Sequence, residues 1–169
     1  MAEDTEIGKN IQSIGSRLEG KYLTFRLDTE DYGIEILKVQ EIIQIQQITK
    51  VPKVAHFIRG VINLRGKVIP LIELRKKFGQ ATCDDTEETC IIVVQVETED
   101  KPITMGIIID AVKEVLQIDA NQIEETPALG AGIDTNFITG MGKVADKVKI
   151  LLDIEKVLSV DEMNSVKNL

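Results

Sequence analysis

His56, Cys83 and Cys90 are the only histidine and cysteines in this 169-residue chain, so nucleophilic, general-base or soft-metal chemistry would have to run through them. His56 precedes Phe57 in a stretch without a regular apolar pattern, and reads as a loop or packing residue rather than a catalyst. Cys83 and Cys90 lie seven residues apart on either side of an acidic loop, with no histidine or second cysteine pair nearby. That spacing fits neither a zinc site nor a disulfide framework, and it suits a reducing cytoplasm. The carboxylates of Thr82–Glu88 and Glu97–Asp100 read as solvated loops. Gly130-Ala131-Gly132 has no following Lys-Ser/Thr and no helix start, so it is not a phosphate cradle; its glycines predict a mobile loop around Pro127–Asp134. The sequence therefore predicts no catalytic group, metal or cofactor.

Binding chemistry is better represented. Arg65 stands between Leu64 and Gly66 in Val61-Ile62-Asn63-Leu64-Arg65-Gly66-Lys67, where Asn63 and Gly66 suit a turn. Two readings stand for it: a solvated turn residue, or a rigid five-donor fork held at a partner groove and paired with a carboxylate such as Glu41. Val39-Gln40-Glu41-Ile42-Ile43 presents an apolar and a polar face. Ile36, Val39 and Ile43 are core residues on one reading, and on the other the wall of a groove for the apolar face of a partner helix.

The elements that must position these residues are strands. The chain holds 25 Ile and 15 Val, β-branched residues that are stiff at χ1 and pack well on a pleated surface. Short apolar runs predict strands at Tyr22–Leu27, Gly33–Leu37, Val39–Ile45, Lys67–Ile72, Ile91–Val96, Ile103–Ile109, Val112–Ile118 and Lys147–Leu152. Ile107-Ile108-Ile109 does not alternate, which predicts a strand buried on both faces. Helical signals are few. Ile7, Ile11, Ile14 and Leu18 share a face of a weak N-terminal helix, Leu71–Phe78 can hold one turn ending at Gly79, and Ile154, Val157 and Leu158 suggest a short C-terminal helix.

Composition bounds the partners. The net charge of −8 disfavours nucleic acid and anionic membranes, and four Phe, two Tyr and no Trp leave little for base stacking. No apolar run is long enough to insert in a membrane, and the first residues lack the apolar core of an export signal. A small hydrolase would need two carboxylates in contrasting apolar and polar settings, which the sequence does not offer. An oligonucleotide-binding or structural barrel is the other alternative.

The most informative pattern is internal. Gly33–Ile45 aligns without a gap on Gly106–Ile118, with Gly, Val, Glu, Gln and three Ile in common. Asp28–Asp31 echoes Glu97–Asp100, Phe57–Gly60 echoes Phe137–Gly140, and Lys67–Leu74 echoes Lys147–Ile154. This predicts two similar five-stranded units, each with a sharp hairpin at its Gly, over about 20–79 and 90–158 behind an N-terminal segment 1–19. Each unit alone has a thin core; two gain stability by burying apolar surface against each other, with strands free to interchange. Closing each sheet into a small barrel removes exposed edges, and the seam between barrels is a natural groove.

Tyr32–Ile42, Phe57–Gly66 and Val68–Ile72, above all Asn63-Leu64-Arg65-Gly66, resemble the CheW-type chemotaxis coupling proteins. The resemblance covers about Gly20 to Leu158. It implies one CheW-like domain over 1–169, mainly β, of two five-stranded SH3-like β-barrel subdomains with short terminal helices. It implies a cytoplasmic, non-enzymatic adaptor recruited to membrane receptor arrays through its partners. Those partners would be the cytoplasmic tip of chemoreceptors and the regulatory domain of the chemotaxis histidine kinase. By resemblance, receptor contact falls to Ile36, Val39, Leu64 and Arg65 in the groove between subdomains, with Glu41 and Arg65 as the acidic–basic pair beside Gly66. The kinase contact is expected at the end of one barrel, and Leu129 aligns with a loop proposed to join such domains into rings, at a place where some relatives carry an aromatic residue. The chain carries neither receiver nor kinase motifs, so the stand-alone form is expected.

Overall fold

The computed structural model describes residues 14–129 and 135–167. A short helix α1 (Ile14–Leu18) leads into β1 (Gly20–Leu27) and β2 (Glu30–Glu35), and a 3-10 turn, Ile36–Lys38, carries the chain to β3 (Val39–Gln44). There follow β4 (Ile58–Leu64), β5 (Lys67–Glu73), α2 (Leu74–Lys77), β6 (Cys90–Val96), β7 (Ile103–Ile109) and β8 (Ala111–Ile118). A second 3-10 turn, Ala120–Gln122, precedes β9 (Ile123–Glu124), β10 (Ile138–Val144), β11 (Lys147–Leu152) and α3 (Val160–Lys167). The strands form two sheets, in the orders β8-β1-β2-β11-β10-β9 and β3-β6-β7-β5-β4.

Neither sheet is drawn from one half of the sequence. The hairpin β1–β2 joins β8 to β11, while β3, β4 and β5 join β6 and β7. The joints are parallel pairs: Ile150 of β11 lies opposite Tyr32 of β2, and Ile72 of β5 lies opposite Ile107 of β7. Within this exchange the repeat is kept closely. Hairpins β4–β5 and β10–β11 carry the same register irregularity, at Ile58/Gly60 and at Ile138/Gly140. The Glu73 N–H donates to the Phe57 carbonyl at 2.7 Å, and the Asp153 N–H to that of Phe137 at 2.8 Å.

Three apolar clusters follow from this layering. Ile62, Ile69, Leu71, Ile91, Val93 and Ile108 fill the five-stranded barrel, and Tyr22, Ile118, Ile123 and Leu151 fill the six-stranded one. The largest cluster lies between them, from Leu23, Phe25 and Ile34 to Ile92, Ile107 and Ile109, and is closed by Met163 and Val166 of α3. Residues 107 to 109 are all buried because β7 serves a barrel interior on one face and the joint core on the other. Each such side chain contributes about 1.5–3 kcal/mol on burial, so the two thin barrels gain most where they meet. At the start of α3, Glu162 and Ser159 cap each other (Glu162 N–H to Ser159 Oγ, 3.1 Å; Ser159 N–H to Glu162 Oε1, 2.8 Å).

Several expectations need correction. Gly33 and Gly106 are not hairpin corners. Each sits within a strand, and the first hairpin turns at Asp28-Thr29, between paired Leu27 and Glu30. They are glycines for lack of room: a Cβ at Gly106 would lie 2.5 Å from Leu71 Cδ2 and 2.7 Å from Ile91 Cγ2. Strands β4 and β10 escape the apolar-run criterion because Arg59-Gly60 and Thr139-Gly140 interrupt them at the irregular register. The C-terminal helix lies further on, at Val160–Lys167; Ile154, Val157 and Leu158 precede it and are buried in the joint core. Of the proposed N-terminal helix, Ile7 and Ile11 lie outside the described residues, as do Gly130–Asp134 of the predicted mobile loop.

Two consequences are measurable. The β10–β11 turn is closed by Ala145 and Asp146 at φ 50° and 64°, a left-handed pair for which Asn-Gly is preferred. Ala145→Asn with Asp146→Gly is expected to raise unfolding free energy by about 1 kcal/mol in urea titration; no gain would contradict the turn assignment. Across the β2–β11 joint, buried Asp31 accepts from Lys149 Nζ at 2.6 Å, with Lys113 Nζ at 3.3 Å. Burial alone would raise the Asp31 pKa, but the hydrogen bonds and charges of Lys149 and Lys113 outweigh it and hold it below the ordinary value. Its stabilisation is therefore full above the unfolded-state pKa and lost as pH falls through the lower folded value. Asp31→Asn should cost roughly 2–3 kcal/mol at neutral pH, at or below the low end for a broken buried pair because Lys113 gives the site a path to water. The deficit should shrink as pH drops below about 4; a deficit independent of pH would show that the pair is not the cause.

Candidate functional site

The β4–β5 hairpin turns over two residues, with Leu64 opposite Lys67 and both Arg65 (φ 51°) and Gly66 (φ 85°) left-handed. This inverse turn matches the twist of its strands. Asn63 supports it, its Oδ1 accepting the Gly66 N–H at 2.8 Å. Left-handed backbone costs a non-glycine residue about 1–2 kcal/mol, so Arg65 is an unexpected choice for this corner.

Its side chain explains what the corner achieves. The guanidinium reaches across to β3 and donates to both Glu41 oxygens, Nη1 to Oε2 at 3.2 Å and Nη2 to Oε1. β3 and β4 are the two outer strands of the five-stranded sheet, so the fork-on-fork pair spans the seam where the barrel closes. Leu64 lies beneath it, packed with Ile43 and Ile45 on the barrel interior. A register shift between Val39 and Glu41 sets the facing of β3: Val39 and Ile42 pair with Val94 and Ile92, which belong to the joint core, while Glu41 and Ile43 pair with Val93 and Ile91 of the barrel interior. Glu41 is thus turned toward an apolar interior and compensated at its rim by Arg65. Those hydrogen bonds, above all, bring the Glu41 carboxyl below its ordinary pKa; burial opposes this and the arginine charge adds to it.

The other residues singled out in the sequence fall nearby on a different face. Ile36, in the 3-10 turn, and Val39 are half-buried against the joint core. Ile36 lines a surface cavity of about 410 Å³ with Leu18, Tyr22 and Leu37. The structure thus brings Glu41, Leu64, Arg65 and Gly66 together at the mouth of one barrel, and sets Ile36 and Val39 along the junction of the two. Leu129, 49% exposed, is the last described residue before the undescribed 130–134. His56 is an exposed loop residue beside Phe57, and Cys83 is an exposed free thiol.

Sequence reasoning passed over three exposed apolar side chains of the first repeat: Leu37 (92% exposed), Ile42 and Val68. Leu37 lies in the turn between sheets and Val68 at the start of β5. Ile42 could have been found only by knowing that β3 shifts register after Val39.

The repeat supplies an internal comparison. The second barrel keeps Glu114 where the first has Glu41, but Ala145 stands where the first has Arg65. It also exposes Val115 and Val148 where the first exposes Ile42 and Val68. The same apolar positions therefore face solvent on both barrels, and only one carries the arginine fork. Among the described residues no three His, Cys, Asp or Glu side chains gather as a metal site would require, and none of the helices is long and apolar enough to cross a membrane. The arrangement offers a charged fork set among exposed aliphatic side chains, which is recognition chemistry.

Glu41 should titrate below the ordinary glutamate range when followed by side-chain carboxyl NMR, and Arg65→Ala should return it upward. An unchanged value in the variant would show that the pair does not persist in solution.

Comparison with known proteins bears on what this surface serves. The chain is 40% identical over 154 residues to the chemotaxis protein CheW of Klebsiella aerogenes, covering 91% of this chain and 90% of that one. It is 33% identical over 149 residues to the CheW of Treponema pallidum, covering 87% and 86%. The crystal structure of the scaffolding protein TtCheW from Thermoanaerobacter tengcongensis superposes with a TM-score of 0.75 at 38% identity, covering 86% of this chain and 96% of that one. With the CheW-like domain model matching residues 21–162 as well, this chain of paired SH3-like barrels belongs to the CheW-like family.

Proposed function

We propose that this protein is a chemotaxis adaptor that holds chemoreceptors and the chemotaxis histidine kinase in one signalling complex, without catalysis of its own. Its relatives are named chemotaxis proteins and a scaffolding protein. The observation that carries the residue-level reading is the Arg65–Glu41 fork, present on one of two repeat-equivalent barrel mouths, with exposed Ile42 on β3 and Val68 on β5, the strands that hold or adjoin it. A receptor's cytoplasmic tip is a helical surface, and an apolar helix face anchors on such a patch while polar side chains engage the fork. Ile36, Val39, Glu41, Leu64, Arg65 and Gly66 make up the receptor side of this reading. Leu129 is assigned to the kinase or ring contact, and the chain reaches the membrane array through its partners.

The mechanism needs only binding. An adaptor that engages receptor and kinase together makes their encounter intramolecular and raises their effective concentration. A change in the receptor tip that alters one interface then shifts the kinase between states by the difference in interface free energy.

Arg65 is exposed and can be removed without opening a core. Arg65→Ala is expected to weaken binding of a receptor cytoplasmic fragment at least tenfold in calorimetric titration, with the fold intact and only a slightly lower urea midpoint. Glu41→Gln should also weaken it, and the double variant should be little weaker than Arg65→Ala alone, because the two act as one unit. Wild-type affinity for Arg65→Ala, or simple additivity of the two losses, would remove the fork from the interface.

A further inference from the structure

Hairpins β4–β5 and β10–β11 share length, register irregularity and a two-residue left-handed turn, and each docks in parallel on the edge of a β-hairpin: β5 on β7, β11 on β2. Residues 45–57 lead into the first from β3, and residues 119–137 lead into the second from the equivalent strand β8. Apolar packing distinguishes the two hairpins only in part: Leu71 and Leu151 fill matching places in the two barrels, whereas Ile62 of β4 stands where β10 has Gly142, whose Cβ would lie 3.3 Å from Ile118 Cδ1. The chain therefore has a second possible arrangement, with the hairpins exchanged between sheets, within one molecule or between two copies.

The charges at the docking edges differ in sign. Arg75, just after β5, donates through Nε to Asp110 Oδ1 at 2.9 Å, in the link between β7 and β8. The residue in the same place after β11 is Glu155, which takes a hydrogen bond from Lys38 Nζ at 2.7 Å, in the link between β2 and β3. Exchange would bring Arg75 to Lys38 and Glu155 to Asp110, like charge against like. A third contrast lies within the sheets. Lys149 of β11 is buried against Asp31 of β2, whereas the repeat-equivalent residues of the other joint are Ile69 of β5 and Thr104 of β7, with Thr104 Oγ1 accepting from Lys67 Nζ at 3.1 Å. Exchange would leave buried Lys149 without its carboxylate and Asp31 with Lys113, at 3.3 Å, as its remaining cationic partner. A buried charge stripped of its partner is far costlier than the intact pair is favourable.

We infer that these three ion pairs, Arg75–Asp110, Lys38–Glu155 and Lys149–Asp31, act with the Ile62/Gly142 difference to select which hairpin completes which barrel, and so keep the chain from exchanging its two hairpins between sheets. Arg75–Asp110 and Lys149–Asp31 share no residue with the receptor reading, and although Lys38 sits between Ile36 and Val39, the test reads strand pairing and not receptor binding. One opposite-sign pair at each docking edge is enough to reject the wrong hairpin, because both hairpins must move together in an exchange within one chain.

Reversing the two hairpin charges tests this. In the full-length chain, Arg75→Glu with Glu155→Arg makes the observed joints repulsive and the exchanged ones attractive. After refolding from urea, NMR cross-strand contacts are expected to show β2 beside β5 in a substantial fraction of molecules, as monomer or as a size-exclusion dimer. Adding Lys38→Glu and Asp110→Arg should restore β2 beside β11 alone. Should the double variant fail to fold, Asp31→Thr with Lys149→Ile decides. It copies Thr104 and Ile69 into the six-stranded sheet, should keep or raise the urea midpoint, and should increase the exchanged fraction at least tenfold over wild type. Lower stability with only β2–β11 contacts in the first variant, or a uniformly native second variant, would overturn the proposal.

Discussion

The parallel pairing of β2 with β11 and of β5 with β7 is the constraint on which the molecule depends. Each barrel is short and would have a thin interior if built from its own half of the sequence. Crossing the halves makes each barrel incomplete without strands from the other, so the large apolar cluster between them forms as the sheets form. The joint core is thereby tied to the topology, and the two barrels present a fixed relative orientation. An adaptor that transmits a small change from one partner to another needs that rigidity, because a loose hinge between docking faces would dissipate it.

The same construction explains how a near-symmetric scaffold supports unequal faces. The repeat places aliphatic side chains at equivalent exposed positions, Ile42 with Val115 and Val68 with Val148. It also places a two-residue turn at equivalent hairpin tips, yet one tip carries Arg65-Gly66 and the other Ala145-Asp146. The difference is a few side chains on a common frame. Arg65 accepts an unfavourable backbone conformation there, and in doing so covers Glu41 at the seam between the outer strands of its sheet. The left-handed backbone belongs to the common frame, since Ala145 and Asp146 share it, and the charge pair across the seam belongs to Arg65 alone.

Much of this was legible before any coordinates. The internal repeat, the β-rich composition and the apolar runs implied paired small barrels, and the Arg65–Glu41 pairing was available from residue type and the family resemblance. What escaped was information held in register. Gly33 and Gly106 look like corner residues in sequence, but they answer to side chains of Leu151 and Leu71 on strands far along the chain. The exposure of Ile42 depends on a register shift in β3 that simple alternation does not show. Lys149 and Asp31 are 118 residues apart and become partners only through a parallel pairing, which local patterns do not specify. Leu64, which the family resemblance sets at the groove between barrels, packs against the interior cluster of one.

Function in this account resides in simultaneous docking, so the direct measurement is a sedimentation assay with assembled receptor cytoplasmic fragments, the chemotaxis kinase and this chain, each omitted in turn. The account predicts that the chain pellets with receptor in the absence of kinase, and that the amount of kinase in the pellet falls several-fold when the chain is left out. Kinase recovery that is indifferent to the chain, with the chain itself remaining in the supernatant, would contradict it.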